Sequence, residues 1–488
     1  MNAVARRSRL AIMIIDQLPS DAFREASAIL NNIHHLGNLS LDYLPRTTPC
    51  GHATISLGVP PSEHRIQGRE WCETKGGQCL KHDIEALAIS QFDDSVNFDS
   101  EIQEGLQRSA LLCKIRERHP DSSLVAVAAK AMIPFLFGAW KADVSVFPTS
   151  VVPVRRSESG RPSSVPPPSR GDPYSFVVRL FAGTDAGRRL LQDPQTQAFL
   201  NKETENLSSF VEDSRVELYS DAASVLDAHW VLPQSWNGYN RITVIDRWRN
   251  RVVLPHGPRI DEYYTTLGKY LLDRLAGRPQ LLVQSWFSTD FAGHHYGVTS
   301  AQYGEALSRA LRQASQLATS FIVVGTSDHG GRDTPHHLLC DFDRDPCSIR
   351  NRNNLVVQLP QANHVFLSGD HVVGWGDNSN DHGVRLLQCS WSPELQPVIA
   401  EASILERSFH PTQRPLWLLL PGVEERYVKR MGKSPAGGDH GAYAYNGVVG
   451  TADNEVPLFS TESLPGLPKT LEQFTDWVLG IFAQLEAS

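Results

Sequence analysis

Short, nearly uninterrupted apolar runs recur along the chain: Leu10–Ile15, Leu124–Ala128, Leu281–Val283 with Trp286 and Phe287 just beyond, Phe321–Val324 and Leu416–Leu420. A strand with one covered face alternates apolar and polar positions, whereas unbroken runs fit strands of a parallel sheet covered on both sides. Between the runs, Glu262–Leu275 and Tyr303–Leu317 repeat apolar residues at three- and four-residue steps, the period of an amphipathic helix. Strand and helix in alternation predict an α/β fold: a doubly wound, mostly parallel sheet sandwiched by helices.

Three stretches depart from that pattern. Residues 149–173 are rich in Pro, Ser, Arg and Gly and bury too little apolar surface to offset the entropy of ordering, which predicts a mobile loop. Residues 174–260 and 332–430 are expected as insertions that cap a single catalytic domain spanning 1–488. Trp236, Tyr239 and Trp375 within them suit either stacking on a base or ring, or core packing. No run approaches the roughly 18 apolar residues of a membrane helix. The N-terminal run is cut short by Asp16, with no cleavage site behind it. A soluble, cytoplasmic protein without a membrane partner is expected.

Composition narrows the class. At 41% apolar and 20% charged residues the chain is neither mainly disordered nor fibrous. Seven scattered cysteines argue against a disulfide framework and for a reducing compartment, and Cys72 and Cys79 read as free thiols. A net charge of −8 disfavours a nucleic-acid polymer as partner. An acidic protein that takes a small anionic ligand must reverse the field locally, and bound divalent metal does this.

Ligands of open parallel sheets bind beyond the carboxyl ends of the strands. Asp16 ends the first run, Asp290 follows the run at 281–287, and Asp328–His329 follows Phe321–Val324, so three strand ends deliver carboxylates to one rim. A single Asp after a strand is usually a turn residue or a helix cap. Here the aspartates come with histidines: His294 four residues after Asp290, His329 beside Asp328, and His440 among glycines late in the chain. A mixed Asp/His set suits zinc, with manganese the alternative. Asp381–His382–Gly383 repeats the D-H-G pattern but follows a polar stretch, which ranks it below Asp328–His329. The segment 46–71 adds Thr47 and Thr48 at the mouth of a Gly-containing turn that leads into a helix.

Taken in order, these motifs resemble the type I phosphodiesterase/nucleotide pyrophosphatase family of the alkaline phosphatase superfamily. The matching residues are Asp16; Thr48 with His52; Gly58, Pro61, His64 and Ile66; Asp290, Gly293 and His294; Ser327–Gly330; and His440–Gly441. The resemblance implies two divalent ions, one held by Asp290, His294 and His440, the other by Asp16, Asp328 and His329 together with Thr48 as nucleophile. Zinc coordination would make the poor Thr hydroxyl reactive near neutral pH, and two ions about 4 Å apart would clamp the attacking and leaving oxygens. The four-residue step to His52 favours Thr48 over Thr47. His52 reads as packing behind the turn, and His64, His295, His336 and His337 as surface or supporting residues.

Two positions depart from the family pattern. Arg69 stands where an Asn is usual, and its guanidinium fork could grip a terminal phosphate or point to solvent. Lys130 follows a buried strand, near the Lys/Arg pair of threonine-type phosphomonoesterases, but its basic companion is missing. The first functional expectation is therefore a phosphodiesterase or pyrophosphatase working through a phospho-threonine. A phosphomonoesterase using Arg69 and Lys130 is the alternative, then a phosphonate hydrolase or phosphate mutase. With the ligands and Thr48 all present, a catalytically silent metal-binding protein is disfavoured. A sulfatase is disfavoured too, because its C-x-P-x-R signature is absent.

Overall fold

The computed structural model describes residues 8–28, 30, 32–75, 78–84, 87–88, 105–106, 109–130, 132–149, 174–209, 216–221, 225–232, 242–245, 251–254, 258–334, 336–340, 347–350, 355–368, 371–376, 383–389, 394–400, 402–420, 425–428, 438–439, 444–445, 448–449 and 454–487. Its centre is a ten-stranded mixed sheet. Five parallel strands form the middle, in the order Ile322–Thr326, Arg9–Ile15, Gln280–Trp286, Ser123–Ala128 and Val144–Thr149. Antiparallel strands extend both edges. Glu455–Ser460 and then His34–Ser40 lie on one side, and Tyr174–Phe181, Val225–Leu232 and Val216–Asp221 on the other.

The unbroken apolar runs have the predicted cause. Along the first strand, Leu10, Ile12 and Ile14 pack into one core with the helix Thr48–Leu57 and the C-terminal helix Gln473–Ala487. Ala11, Met13 and Ile15 point the other way, into a second core with the helices Pro258–Arg274 and Ala301–Leu317. Successive side chains alternate between faces, so a strand buried on both sides has no position left for a polar residue. The fold is an α/β sandwich of helices, sheet and helices.

Residues 174–232 contribute three strands to the edge of the main sheet. Residues 332–430 build separate sheets of four and five strands. The run at 416–420 belongs to the five-stranded one, not to the central sheet. It is apolar throughout because this sheet is sandwiched as well: Leu418 and Leu420 face the main core, and Trp417 and Leu419 a smaller outer core. Trp375 is buried in the main core, which makes it a packing residue, while Trp236 and Tyr239 lie outside the described residues.

One cysteine reading needs correction. Cys72, on the hairpin Glu70–Lys75/Gln78–Asp83, is disulfide-bonded, and with it goes one argument for a reducing compartment. Cys50, Cys113, Cys340, Cys347 and Cys389 form no disulfide. No helix among the described residues is long and apolar enough to cross a membrane.

Candidate active site

Strand register brings the candidate residues together. Ile15 pairs with Trp286, Ile14 with Thr326, and Ser285 with Ala128. Asp16, the helix Ser288–Tyr296, Ser327–Asp328 and Lys130 therefore all leave the sheet at the carboxyl ends of neighbouring parallel strands. The Asp16 amide continues the ladder to the Trp286 carbonyl at 3.0 Å, and Thr289 donates from Oγ1 to the Asp16 carbonyl at 2.6 Å.

Thr48 is the first residue of a ten-residue helix that is buried along its whole length. Its Oγ1 lies 3.4 Å from Asp16 Oδ1, 3.3 Å from His329 Nε2 and 3.4 Å from Lys130 Nζ. Thr47, the rival, turns its hydroxyl toward Cys50 Sγ at 3.4 Å. Of the two threonines, it is Thr48 whose hydroxyl meets the carboxylate and imidazole. The N-terminus of such a helix also favours an anion placed against it.

Ligand atoms of Asp16, Asp328 and His329 lie within 4.8 Å of one another, and all three residues are fully buried. His329 Nε2 is 3.2 Å from Asp16 Oδ1, while its Nδ1 contacts the Gly330 carbonyl at 2.8 Å, leaving Nε2 as the nitrogen that faces the carboxylates. Asp290 follows one strand over, with His294 Nε2 3.1 Å from its Oδ1. Lys130 joins the two groups, its Nζ donating to Asp16 Oδ2 at 2.9 Å and Asp290 Oδ2 at 3.1 Å, over the Phe287 ring. His440 and Gly441 lie outside the described residues. The short strand Gly438–Asp439, which ends just before His440, pairs with Arg332–Asp333, a few residues beyond His329.

Electrostatics show what the cluster demands. Burial, then the neighbouring Asp290 and Asp328, raise the Asp16 carboxyl above its ordinary range. Burial alone would also raise Asp328, but His329, His52 and Lys130 hold it well below. Burial opposes charge on His329 and Lys130, yet the surrounding aspartates outweigh it and push His329 up to about 10. Asp328 Oδ2 faces His52 Nδ1 at 3.0 Å and His329 Nε2 at 3.5 Å. Asp16 and Asp290 share the Lys130 ammonium, and Asp328 faces two imidazoles. The buried set of carboxylates and histidine at Asp16, Asp328 and His329 fits a divalent cation.

Several supporting residues were read less fully from sequence. His52 sits 3.0 Å from Asp328 Oδ2, with Nε2 3.1 Å from Ser285 Oγ, so it backs a candidate ligand carboxylate and does more than pack. Its step of four from Thr48, one helical turn, was the available signal. Asp261, fully buried, accepts from the Phe287 and Ser288 amides and caps the helix that carries Asp290 and His294. Nothing local in the sequence announces that pairing. His64 is a buried brace: it accepts from the Ile66 amide, contacts Thr54 Oγ1, and burial holds its pKa down at about 3. Arg69 is exposed at the start of the Cys72 hairpin. It is Lys130 that reaches Thr48.

Comparison with known proteins agrees with this architecture. Residues 10–344 match the family described as type I phosphodiesterase/nucleotide pyrophosphatase. The alkaline phosphatase PafA of Elizabethkingia meningoseptica is 33% identical over 88 residues, a stretch covering 16% of this chain and only 16% of that protein. The crystal structure of PafA superposes over 98% of this chain and 96% of its own, with a TM-score of 0.53 at 13% identity. Phosphonoacetate hydrolase from Sinorhizobium meliloti 1021 gives 0.48 at 12% identity over 98% and 96%. At such identities the PafA structure speaks for the fold alone. The family match covers most of the chain, and the chain belongs to the type I phosphodiesterase/nucleotide pyrophosphatase family.

Proposed function

We propose that this protein hydrolyses small phosphodiesters or pyrophosphates by attack of Thr48 on phosphorus, through a phospho-threonine intermediate. The observation that carries the reading is the Thr48 hydroxyl, buried at a helix N-terminus within 3.4 Å of Asp16, His329 and Lys130. Asp16, Asp328 and His329 would hold one divalent cation, and Asp290 and His294, with His440, a second. Such ions, zinc by the ligand chemistry, supply Lewis-acid charge for the attacking and leaving oxygens.

The chain's own residues account for the rest. Asp16 Oδ1 accepts the Thr48 proton, and the Oγ1–P bond forms as the bond from phosphorus to the leaving oxygen breaks. Lys130 presents its ammonium to a non-bridging oxygen. Water then attacks phosphorus and releases Thr48, which recovers a proton.

A second reading rests on Lys130. An ammonium touching the nucleophile adds positive charge where a phosphomonoester carries its extra negative charge, so a phosphomonoesterase is the alternative.

A paired assay on zinc-loaded enzyme decides between them, comparing p-nitrophenyl phosphate with bis-p-nitrophenyl phosphate. Diester preference in the wild type is expected. Monoester preference that disappears in Lys130→Ala or Arg69→Ala would establish the second reading. Thr48→Ala should lose turnover of both substrates and the acid-stable phosphoryl label on the protein. Normal turnover without Thr48 would sink the covalent mechanism.

A further inference from the structure

Gln17 follows Asp16 directly, and three features of it are costly to the fold. Its backbone is left-handed at φ 57°, a conformation that suits glycine. It is fully buried. Neither Oε1 nor Nε2 of its amide has a hydrogen-bond partner among the described residues. A glycine would remove the first cost, and a methionine of similar length would remove the last. Combined strain and an unsatisfied buried amide in one residue point to a role in the bound state.

Its surroundings say which role. The side chain runs between Gly293 and Gly331. A Cβ added at Gly293 would fall 1.9 Å from Gln17 Oε1, and one added at Gly331 would fall 2.6 Å from Cγ and 2.9 Å from Nε2. These glycines lack side chains where the Gln17 amide lies. Gly293 is next to His294, and Gly331 is two residues beyond His329. The Gln17 backbone is tied to the same seam: its amide donates to Asp328 Oδ1 at 3.3 Å, and its carbonyl accepts from the Tyr303 hydroxyl at 2.7 Å. The amide is thus wedged between the two segments that carry the candidate metal ligands.

We propose that Gln17 is a positioning residue for the metal centre. Its side chain sets the separation between the Asp290–His294 helix and the Asp328–His329 loop, and its amide serves the loaded site. The inference rests on the reading of these segments as metal ligands. It goes beyond that reading by making Gln17, Gly293 and Gly331 one device.

The test uses the full chain with zinc alone. Gln17→Gly and Gln17→Met are compared with wild type for melting temperature in chelator, and for zinc affinity and equivalents by competition with a chromogenic chelator. Both variants should melt in chelator at or above the wild-type temperature, yet bind zinc at least tenfold more weakly. Gly293→Ala, which pushes into Oε1, should weaken zinc binding likewise. Wild-type zinc affinity in both Gln17 variants would overturn the proposal. So would a loss of affinity that merely tracks a lower melting temperature in chelator. If the wild-type protein itself binds no zinc, it is the metal-centre reading that fails, whatever Gln17 does.

Discussion

Gly51→Ala offers a sharp test of how the Thr48 helix is seated. Gly51 lies one turn into that helix, and a Cβ there would fall 2.2 Å from the Asp328 carbonyl oxygen and 2.7 Å from Asp328 Cβ. Non-bonded atoms settle at about 3.5 Å, so helix and strand end must separate by roughly 1 Å. The obstacle is backbone, and every residue of the helix is buried, so no flexible side chain can absorb the shift. Overpacking of this kind costs about 1–3 kcal/mol. Replacing glycine by alanine in a helix returns about 1 kcal/mol, which leaves a net loss of at most about 2 kcal/mol. Function should suffer far more, because the displaced groups are Thr48 and Asp328 themselves, and a misplacement near 1 Å costs on the order of 100-fold in rate. Thermal melts alongside initial rates on bis-p-nitrophenyl phosphate give both numbers. The expected result is a modest drop in melting temperature with kcat reduced about 100-fold. A more stable variant with full activity would mean that the helix is not pressed against Asp328, and the seating of Thr48 would have to be redrawn.

Other expectations follow from single contacts. Lys130→Ala strips Asp16 and Asp290 of their shared ammonium. kcat/KM should fall on the order of 100-fold for p-nitrophenyl phosphate and less for the diester, and equal losses would remove Lys130 from phosphate recognition. His52→Ala removes the ring behind Asp328 Oδ2 and should weaken zinc binding by roughly 10- to 100-fold, read by chelator competition. Asp261 carries a pH signature. Burial, only partly opposed by the amides of Phe287 and Ser288, raises its pKa from 3.8 to about 7. A raised carboxyl stabilises the fold most below pH 4 and loses that contribution as pH rises through 7, by roughly 4 kcal/mol at most. Asp261→Asn should therefore gain melting temperature relative to wild type as pH goes from 5 to 8. An unchanged difference between the two proteins across that range would show that Asp261 does not titrate there.

Much of this protein was legible in its linear pattern. Runs such as Leu10–Ile15 had to be strands covered on both faces, because no position in them is polar. Ligand sites in a parallel sheet lie at the carboxyl ends of the strands. That Asp16, Asp290, Asp328 and His329 would gather at one rim could therefore be read from their place just after such runs. Those are local signals, and local signals survive in sequence. The tertiary structure alone decided the rest. It turned Thr47 toward Cys50 and Thr48 toward His329, put His52 behind Asp328, and set Lys130 between two carboxylates. It capped the Asp290 helix with Asp261, and it pressed Gln17 between two glycines that lie hundreds of residues further along the chain. It also placed the apolar run at 416–420 in an outer sheet and Cys72 in a disulfide. Each of these depends on which segments become neighbours across the sheet, and strand order and register, which set those neighbours, leave no mark in the local spacing of residues.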